Sequence, residues 1–472
     1  GSNPAASSAP SPSEPQANEA AARHTAARKK TRRTTTILGE RHGSRTLEVR
    51  ARLRKRFTLQ SRRNHRRLRG TVNWNDSPEQ AQFRTAVREL IEARLPQRYK
   101  HAAQHGGPGE RAWENDRKSS DAAARQAAIE WHAALAEKGW VAPHWPKAYG
   151  GGGMSPMEQF VLNQEMANAG APAVGGSGVA MLGPTLILHG NEEQRKKYLP
   201  PILAGEATWA QGYSEPGAGS DLASLQTRAS RDGDDFILNG QKIWTSAAHT
   251  ADAIFALVRT DPTAPKHRGI SFLLIDDIKA PGISIRPLVD MNGRHYFNEV
   301  FFEDVRVPAA NLVGEENRGW YVAMTLLDFE RSNIGGAIGA KRTLRRLLDV
   351  VAADPLLSER LKVSVLRHEI AQRFIEAEVM YQFSMRIISM QNRGQLPNDE
   401  ASMAKLYNSE LSQRVAQTCM QVIGLRGQVV DDDGEGSFGR LYLGMVPATI
   451  RGGTSEVQRN VIATRGLGLP RG

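Results

Sequence analysis

A single cysteine, Cys419, in 472 residues leaves nothing from which to build a disulfide framework and fits a reducing compartment. Aromatic residues amount to only 6%. No stretch approaches the roughly 18 consecutive apolar residues of a membrane-spanning helix, so no integral membrane segment is expected. The 12 histidines are scattered, with no His-Glu-x-x-His or paired-cysteine spacing, which argues against a zinc site.

Most of the chain also lacks net charge. Residues 1–71 hold 18 Lys and Arg against 4 Asp and Glu, whereas the remainder carries 44 against 46. The whole excess of +12 therefore sits in the leader. A near-neutral body gives no reason to expect nucleic acid as a partner. The leader runs from a Ser/Pro/Ala-rich start into an Arg-rich segment, Arg62-Arg63-Asn64-His65-Arg66-Arg67, with one aromatic, Phe57. That composition predicts a disordered basic leader over 1–71. Arg32-Arg33 is not followed by the apolar run of a twin-arginine signal. The leader reads best as an upstream extension and the location as cytoplasmic. An acid-poor transit peptide to the mitochondrial matrix is the alternative, and a nucleic-acid arm would want interleaved aromatics.

What the chain does contain is a change of period, twice. Ser77-Pro78-Glu79 reads as N-cap, N1 proline and first-turn acid of a helix, the first of several that predict an all-α domain over 72–206. From 207 to 316 the period turns to two. The runs Phe236–Leu238, Ala253–Val258, Ile270–Ile275, Ile283–Leu288 and Val300–Val307, broken at Asn239-Gly240 and Pro281-Gly282, predict a central antiparallel β domain. Helical spacing returns over 319–352, 356–392, 398–430 and 447–465, the pattern of a four-helix bundle in a C-terminal domain over 317–472. The fold class is therefore α+β with several domains.

Two small-residue segments stand out. Ser214-Glu215-Pro216-Gly217-Ala218-Gly219-Ser220-Asp221 would leave the first strand as a loop, where glycines let backbone N–H groups approach an anion and serines add donors. Leu222 stands where a dinucleotide fingerprint needs its third glycine. By itself such a loop is more often a plain turn, and Trp244 in the following strand is more often a core tryptophan. Asp431-Asp432-Asp433-Gly434-Glu435-Gly436 imitates half an EF-hand, but Tyr442 fills the twelfth position, so it reads as a solvated loop.

Taken together, Gly212-Tyr213-Ser214-Glu215-Pro216-Gly217-Ala218-Gly219-Ser220-Asp221 and Ile243-Trp244-Thr245-Ser246 resemble the signatures of acyl-CoA dehydrogenases, flavoenzymes that place a double bond beside a thioester. The resemblance spans roughly 74–469 and implies that family's fold, with FAD as cofactor. It implies cofactor contacts at Tyr213, Ser214, Gly219, Ser220, Trp244 and Ser246, the hydroxyl of Ser246 facing flavin N5. Gln421, Thr454 and Glu456 would hold the rest of FAD. Many members keep a catalytic glutamate just before a C-terminal Gly-Thr. Here Ile450-Arg451-Gly452-Gly453-Thr454 has glycine there. Asp328-Phe329-Glu330-Arg331 stands where isovaleryl-type and long-chain-type members keep theirs. Glu330 is accordingly the expected base, with substrate contacts at Ser220, Asp328, Arg331 and the Gly452 N–H. A surface Glu330–Arg331 pair is the bland reading.

The resemblance further implies an acyl-CoA substrate, an electron-transfer flavoprotein as acceptor and a homo- or hetero-oligomer, dimer or tetramer. An oxidase that uses O2 and a non-catalytic partner subunit are alternatives. Two motifs depart from the family. Asp354–Arg360 lacks its Arg-x-x-Phe-Gly, and Gln421-Val422-Ile423-Gly424-Leu425 replaces Gln-x-x-Gly-Gly. Gly335-Gly336, soon after Glu330, would leave room for a medium, branched, dicarboxylic or ring-bearing acyl chain in preference to butyryl-CoA.

Overall fold

The structure, a computed structural model, describes residues 76–104, 111–329, 334–429 and 438–470. The basic leader and the acidic segment 430–437 lie outside the described residues. The first helices are α1 (Pro78–Arg94), α2 (Gln97–Gln104), α3 (Ala112–Arg117), α4 (Ala122–Ala136), α5 (Pro156–Ala169), α6 (Gly183–His189) and α7 (Glu192–Leu203). α1, α5 and α7 begin at capping boxes on Ser77, Ser155 and Asn191, each side chain accepting the N3 backbone N–H while the N3 Gln or Glu reaches back. Arg84 and Arg88 of α1 both donate to the buried carboxylate of Glu165 on α5, at 2.5 and 2.7 Å. The short helices α2 and α3 have too few turns to show a periodic face, and sequence spacing did not predict them.

The sheet has eight strands: β1 (Trp209–Gly212), β2 (Arg228–Asp232), β3 (Asp235–Ser246), β4 (Ala253–Arg259), β5 (Ile270–Ile275), β6 (Ile283–Val289), β7 (His295–Pro308) and β8 (Leu312–Val313). They are ordered β6-β7-β3-β2-β4-β5-β8, with β1 joined to β4. Pairing is antiparallel except along β1·β4 and at the single β2·β4 contact, which are parallel. Every residue of β4 and β5 is buried. One face of that pair, with Phe255, Leu257, Phe272 and Leu274, packs on the N-terminal helices. The other, with Ile254, Ala256, Val258 and Leu273, packs on Phe236, Leu238 and Val300. Doubly covered strands need no polar alternation, so their runs are continuous and not of period two.

After the sheet come α8 (Gly319–Phe329), α9 (Ile334–Ala353), α10 (Pro355–Arg360), α11 (Ser364–Gln391), α12 (Asp399–Ile423), α13 (Phe438–Met445) and α14 (Ser455–Val461). The long helices α9, α11 and α12 share one core around Leu344, Leu347, Met380, Ile387, Leu411 and Val415. The helix expected over 447–465 is broken. Gly452 and Gly453 sit at φ +64° and +90°, which ends one turn and leaves Thr454 to cap α14 afresh.

One buried group gives the fold an acid limit. His144 stands beside the core residue Trp145, its Nε2 atom buried without a partner. Burial pulls it down to about 4, against a backbone hydrogen bond at Val179 that works the other way. Between about pH 6.5 and 4 the unfolded chain binds a proton that the native chain refuses. This stability is present above the unfolded value and is lost as pH falls towards the folded one, on the order of 3 kcal/mol. Denaturant melts from pH 7 to pH 4 should show His144→Phe losing less stability than the parent. Equal losses would remove His144 from the account.

Candidate active site

The loop after β1 is held from behind by a buried ion pair. Glu215 is 7% exposed, and its carboxylate accepts the Gln226 N–H at 2.5 Å, the Thr227 N–H at 2.8 Å and Lys242 Nζ at 2.7 Å. Lys242, on β3, is fully buried and also donates to Leu257 O at 2.7 Å and Tyr213 O at 3.3 Å, so all three ammonium protons are used. Burial pulls Lys242 down to about 8. Burial would raise the Glu215 carboxyl, but Lys242 and the backbone donors hold it below its ordinary value. Glu215 and Ala218 exchange backbone hydrogen bonds across the turn.

This anchoring presents the outer edge of the loop to solvent. A Cβ built on Gly217 or Gly219 would meet nothing within 4 Å. The glycines thus answer to no packing among the described residues, which leaves the space in front of them open to a ligand. Ser220 is exposed, and Ser214 is half-buried with its carbonyl taking the Ile243 N–H at 2.9 Å. Tyr213 differs: its ring is edge-on to Phe255 and Phe272 in the core, and burial pushes its phenol up. Its carbonyl accepts Lys242, and its buried phenol oxygen has no hydrogen-bond partner among the described residues.

Trp244 is where the strand breaks its own rule. Phe236, Leu238 and Lys242 face inward, and continued alternation would bury position 244. Instead the β3·β7 register steps from Lys242↔Val300 to Thr245↔Asn298, two residues on β3 opposing Glu299 alone. Trp244 takes φ +59°, and its indole is 60% exposed, edge-on to Phe297 at 5.9 Å. A non-glycine residue in this region costs on the order of 1–3 kcal/mol, and such strain collects at functional sites. The bulge flips the phase so that Thr245 turns inward and the half-buried Ser246 lies on the same strand end as Trp244. Trp244 is therefore not a core tryptophan.

At the C-terminal end, the Gly452-Gly453 turn is gripped by Lys405 of α12, whose Nζ donates to Gly453 O at 2.5 Å. A Cβ on Gly452 would meet nothing within 4 Å. Thr454 spends its hydroxyl on the Val457 N–H at 3.2 Å, and Glu456 is exposed, its carboxyl kept low by its own N–H and Thr454. Ser455, buried, has a hydroxyl without a partner beside a polar recess of about 350 Å³ that Glu456, Arg414 and Arg459 also line. Gln421 is exposed at the end of α12, and its carbonyl accepts Arg360 at 2.9 Å. The one arginine of the altered Asp354–Arg360 stretch is thereby used within the chain.

Glu330 and Arg331 lie outside the described residues, as does the side chain of Asp328, whose backbone belongs to α8. Gly336 faces Asn408 among the described residues. A Cβ there would fall 2.1 Å from Oδ1 of Asn408 on α12, so this glycine makes room for a neighbouring helix. Gly336→Val should cost about 1–3 kcal/mol by overpacking and depress all substrates alike, in thermal melts and activity both. A loss confined to bulky substrates would reinstate the room for an acyl chain. A Cβ on Gly335 would meet none of the described residues within 4 Å.

Sequence models of the acyl-CoA dehydrogenase N-terminal, middle and C-terminal domains match residues 77–206, 210–305 and 317–467 in that order. The chain is 37% identical to acyl-CoA dehydrogenase IpdE1 of Mycobacterium tuberculosis over 400 residues, 83% of this chain and 98% of that protein. It is similar to the solved structure of the Tcur3481-Tcur3483 steroid ACAD, with a TM-score of 0.72 and 35% identity over 85% of this chain and 100% of that one. The ChsE4-ChsE5 complex from Mycobacterium tuberculosis matches with a TM-score of 0.67 and 32% identity, again over 85% and 100%. Three domains in the family's order, at such identity across nearly all of the described residues, establish that the chain belongs to the acyl-CoA dehydrogenase family of oxidoreductases.

Proposed function

We propose that the protein is an FAD-dependent dehydrogenase that converts an acyl-CoA thioester to the trans-2-enoyl-CoA and passes the electrons to an electron-transfer flavoprotein. The observation that carries the reading is the exposed, strained Trp244 beside Ser246, on a strand whose Lys242 also anchors the glycine loop. The chain fits the cofactor: open space fronts Gly217 and Gly219, and the Ser455 hydroxyl waits without a partner. Trp244 would pack on the flavin, Ser214 and Ser246 would bond its edge, and Gly219, Ser220, Thr454, Glu456 and Gln421 would take the remainder. Bound there, FAD would supply the acceptor for the substrate's β-hydride.

The chain's own part is proton chemistry. Glu330 would receive the α-proton on its carboxylate. The Gly452 N–H would donate to the thioester oxygen, where charge gathers as that proton leaves. Glycine keeps this donor while giving up the family's carboxylate at that position. Similarity to the Tcur3481-Tcur3483 steroid ACAD favours a ring-bearing acyl chain over butyryl. Similarity to the Tcur3481-Tcur3483 and ChsE4-ChsE5 pairs favours a heteromer.

Purified protein should carry FAD, and a panel of acyl-CoAs should bleach it, ring-bearing substrates faster than butyryl-CoA. Absence of FAD would end the reading. Stoichiometric hydrogen peroxide without an added acceptor would move it to the oxidase. Flavin bound only beside a second subunit, with activity indifferent to Glu330, would make this chain the non-catalytic partner.

A further inference from the structure

Beneath the Trp244 bulge lies a polar cluster that the proposed chemistry does not use. Asn298 of β7 is completely buried, and its Nδ2 donates to Thr245 O at 3.0 Å. That bond fixes which way the carboxamide points, because a carbonyl needs a donor. Its Oδ1 takes His295 Nε2 at 2.7 Å, and His249 Nδ1 stands 3.2 Å from both carboxamide atoms. The two imidazoles stack with centroids 3.9 Å apart and planes 27° from parallel. Burial and the facing ring hold His249 below its ordinary value.

An amide inside a strand is expensive unless every polar atom is used, and ordinary sheet packing would be served by valine. Here the amide is satisfied, and the carbonyl it holds is the one just after Trp244. The bulge leaves Ile243 and Trp244 without cross-strand partners, and the left-handed turn at Trp244 persists only if its flanks are fixed. On the upstream side the fixing is done by Lys242 and by Ile243 N–H to Ser214 O. On the downstream side it is done by Asn298, together with Ala247 N–H to Tyr296 O.

We propose that Asn298, braced by His249 and His295, is a positioning residue: by holding the Thr245 carbonyl it sets the outward Trp244 indole and the Ser246 hydroxyl for the cofactor. This rests on the reading of Trp244 and Ser246 as the flavin face. No change of fold is needed for the effect, only a bulge free to relax.

The experiment titrates apo-protein with FAD and compares visible spectra and melting of apo and loaded forms. Asn298→Val should raise the FAD dissociation constant about tenfold or more and blur the vibronic shoulder of the flavin band, with the apo melt little changed. Asn298→Asp should do the same, because a carboxylate has no proton for Thr245 O. His295→Gln keeps an N–H donor and should stay near the parent. Unchanged affinity and spectrum in Asn298→Val overturn the proposal, as do equal losses in apo and loaded stability with affinity intact. If Asn298→Val does not fold, His295→Phe should weaken FAD about threefold in the same direction, and no change there overturns it. A parent that binds no FAD overturns the cofactor reading and this inference together. FAD bound equally by parent and variants overturns this one alone.

Discussion

Glu330→Gln is expected to slow flavin reduction by the best acyl-CoA by about 10²–10⁴-fold, the span a positioned general base contributes, while FAD content stays at the parent level. Removing a proton beside a thioester calls for a base, and the family resemblance implies Glu330 for it, since glycine stands before Gly453-Thr454 where many members keep a glutamate. Gly452 holds φ +64°, a conformation that costs a side-chain-bearing residue roughly 1–2 kcal/mol, yet a Cβ there would meet nothing within 4 Å. That vacancy makes a second arm possible. Gly452→Glu placed in the Glu330→Gln background should recover part of the lost rate, because space exists for the carboxylate although the backbone is strained. Full activity in Glu330→Gln would return the glutamate to a surface pair with Arg331. Loss of FAD in the same variant would mean that the side chain supports the cofactor, not the proton transfer.

What the sequence made legible was local. Ser77-Pro78 announces a helix start because a cap needs only neighbouring residues, and it is found in place. The domain-scale change of period was legible for the same reason. What escaped was set by partners far along the chain. Trp244 could be read either way until β7 supplied one residue against two. Gly336 looked like space for a substrate because Asn408 is more than sixty positions away. The break in 447–465 was within reach, since Gly452-Gly453 is a stop signal that helical periodicity outvoted. Lys242 left a faint trace: it is a lysine in the inward phase of a strand, which only makes sense with a buried anion opposite. Asn298 left none.

The buried pair carries the largest expected effect on stability. Lys242→Met removes the direct ion-pair partner and leaves the Glu215 carboxylate, 7% exposed, with two backbone donors and only the more distant Arg259 as countercharge. Breaking one side of a buried pair costs about 3–5 kcal/mol, a large share of a typical folding free energy of about 5–15 kcal/mol. The damage should spread to function, because Glu215 turns the glycine loop and Lys242 adjoins Ile243 and Trp244 in β3. FAD should therefore be lost along with stability. Adding Glu215→Gln to Lys242→Met should restore part of the loss. Glutamine removes the unmatched charge but has one oxygen for the Gln226 and Thr227 N–H groups, which bond different carboxylate oxygens, while the methionine fills much of the lysine's volume. Urea melts of the parent, both single variants and the double variant close the cycle. A double variant as unstable as the two single losses combined would show that the residues act independently, and the buried pair would then not be what couples the loop to the strand.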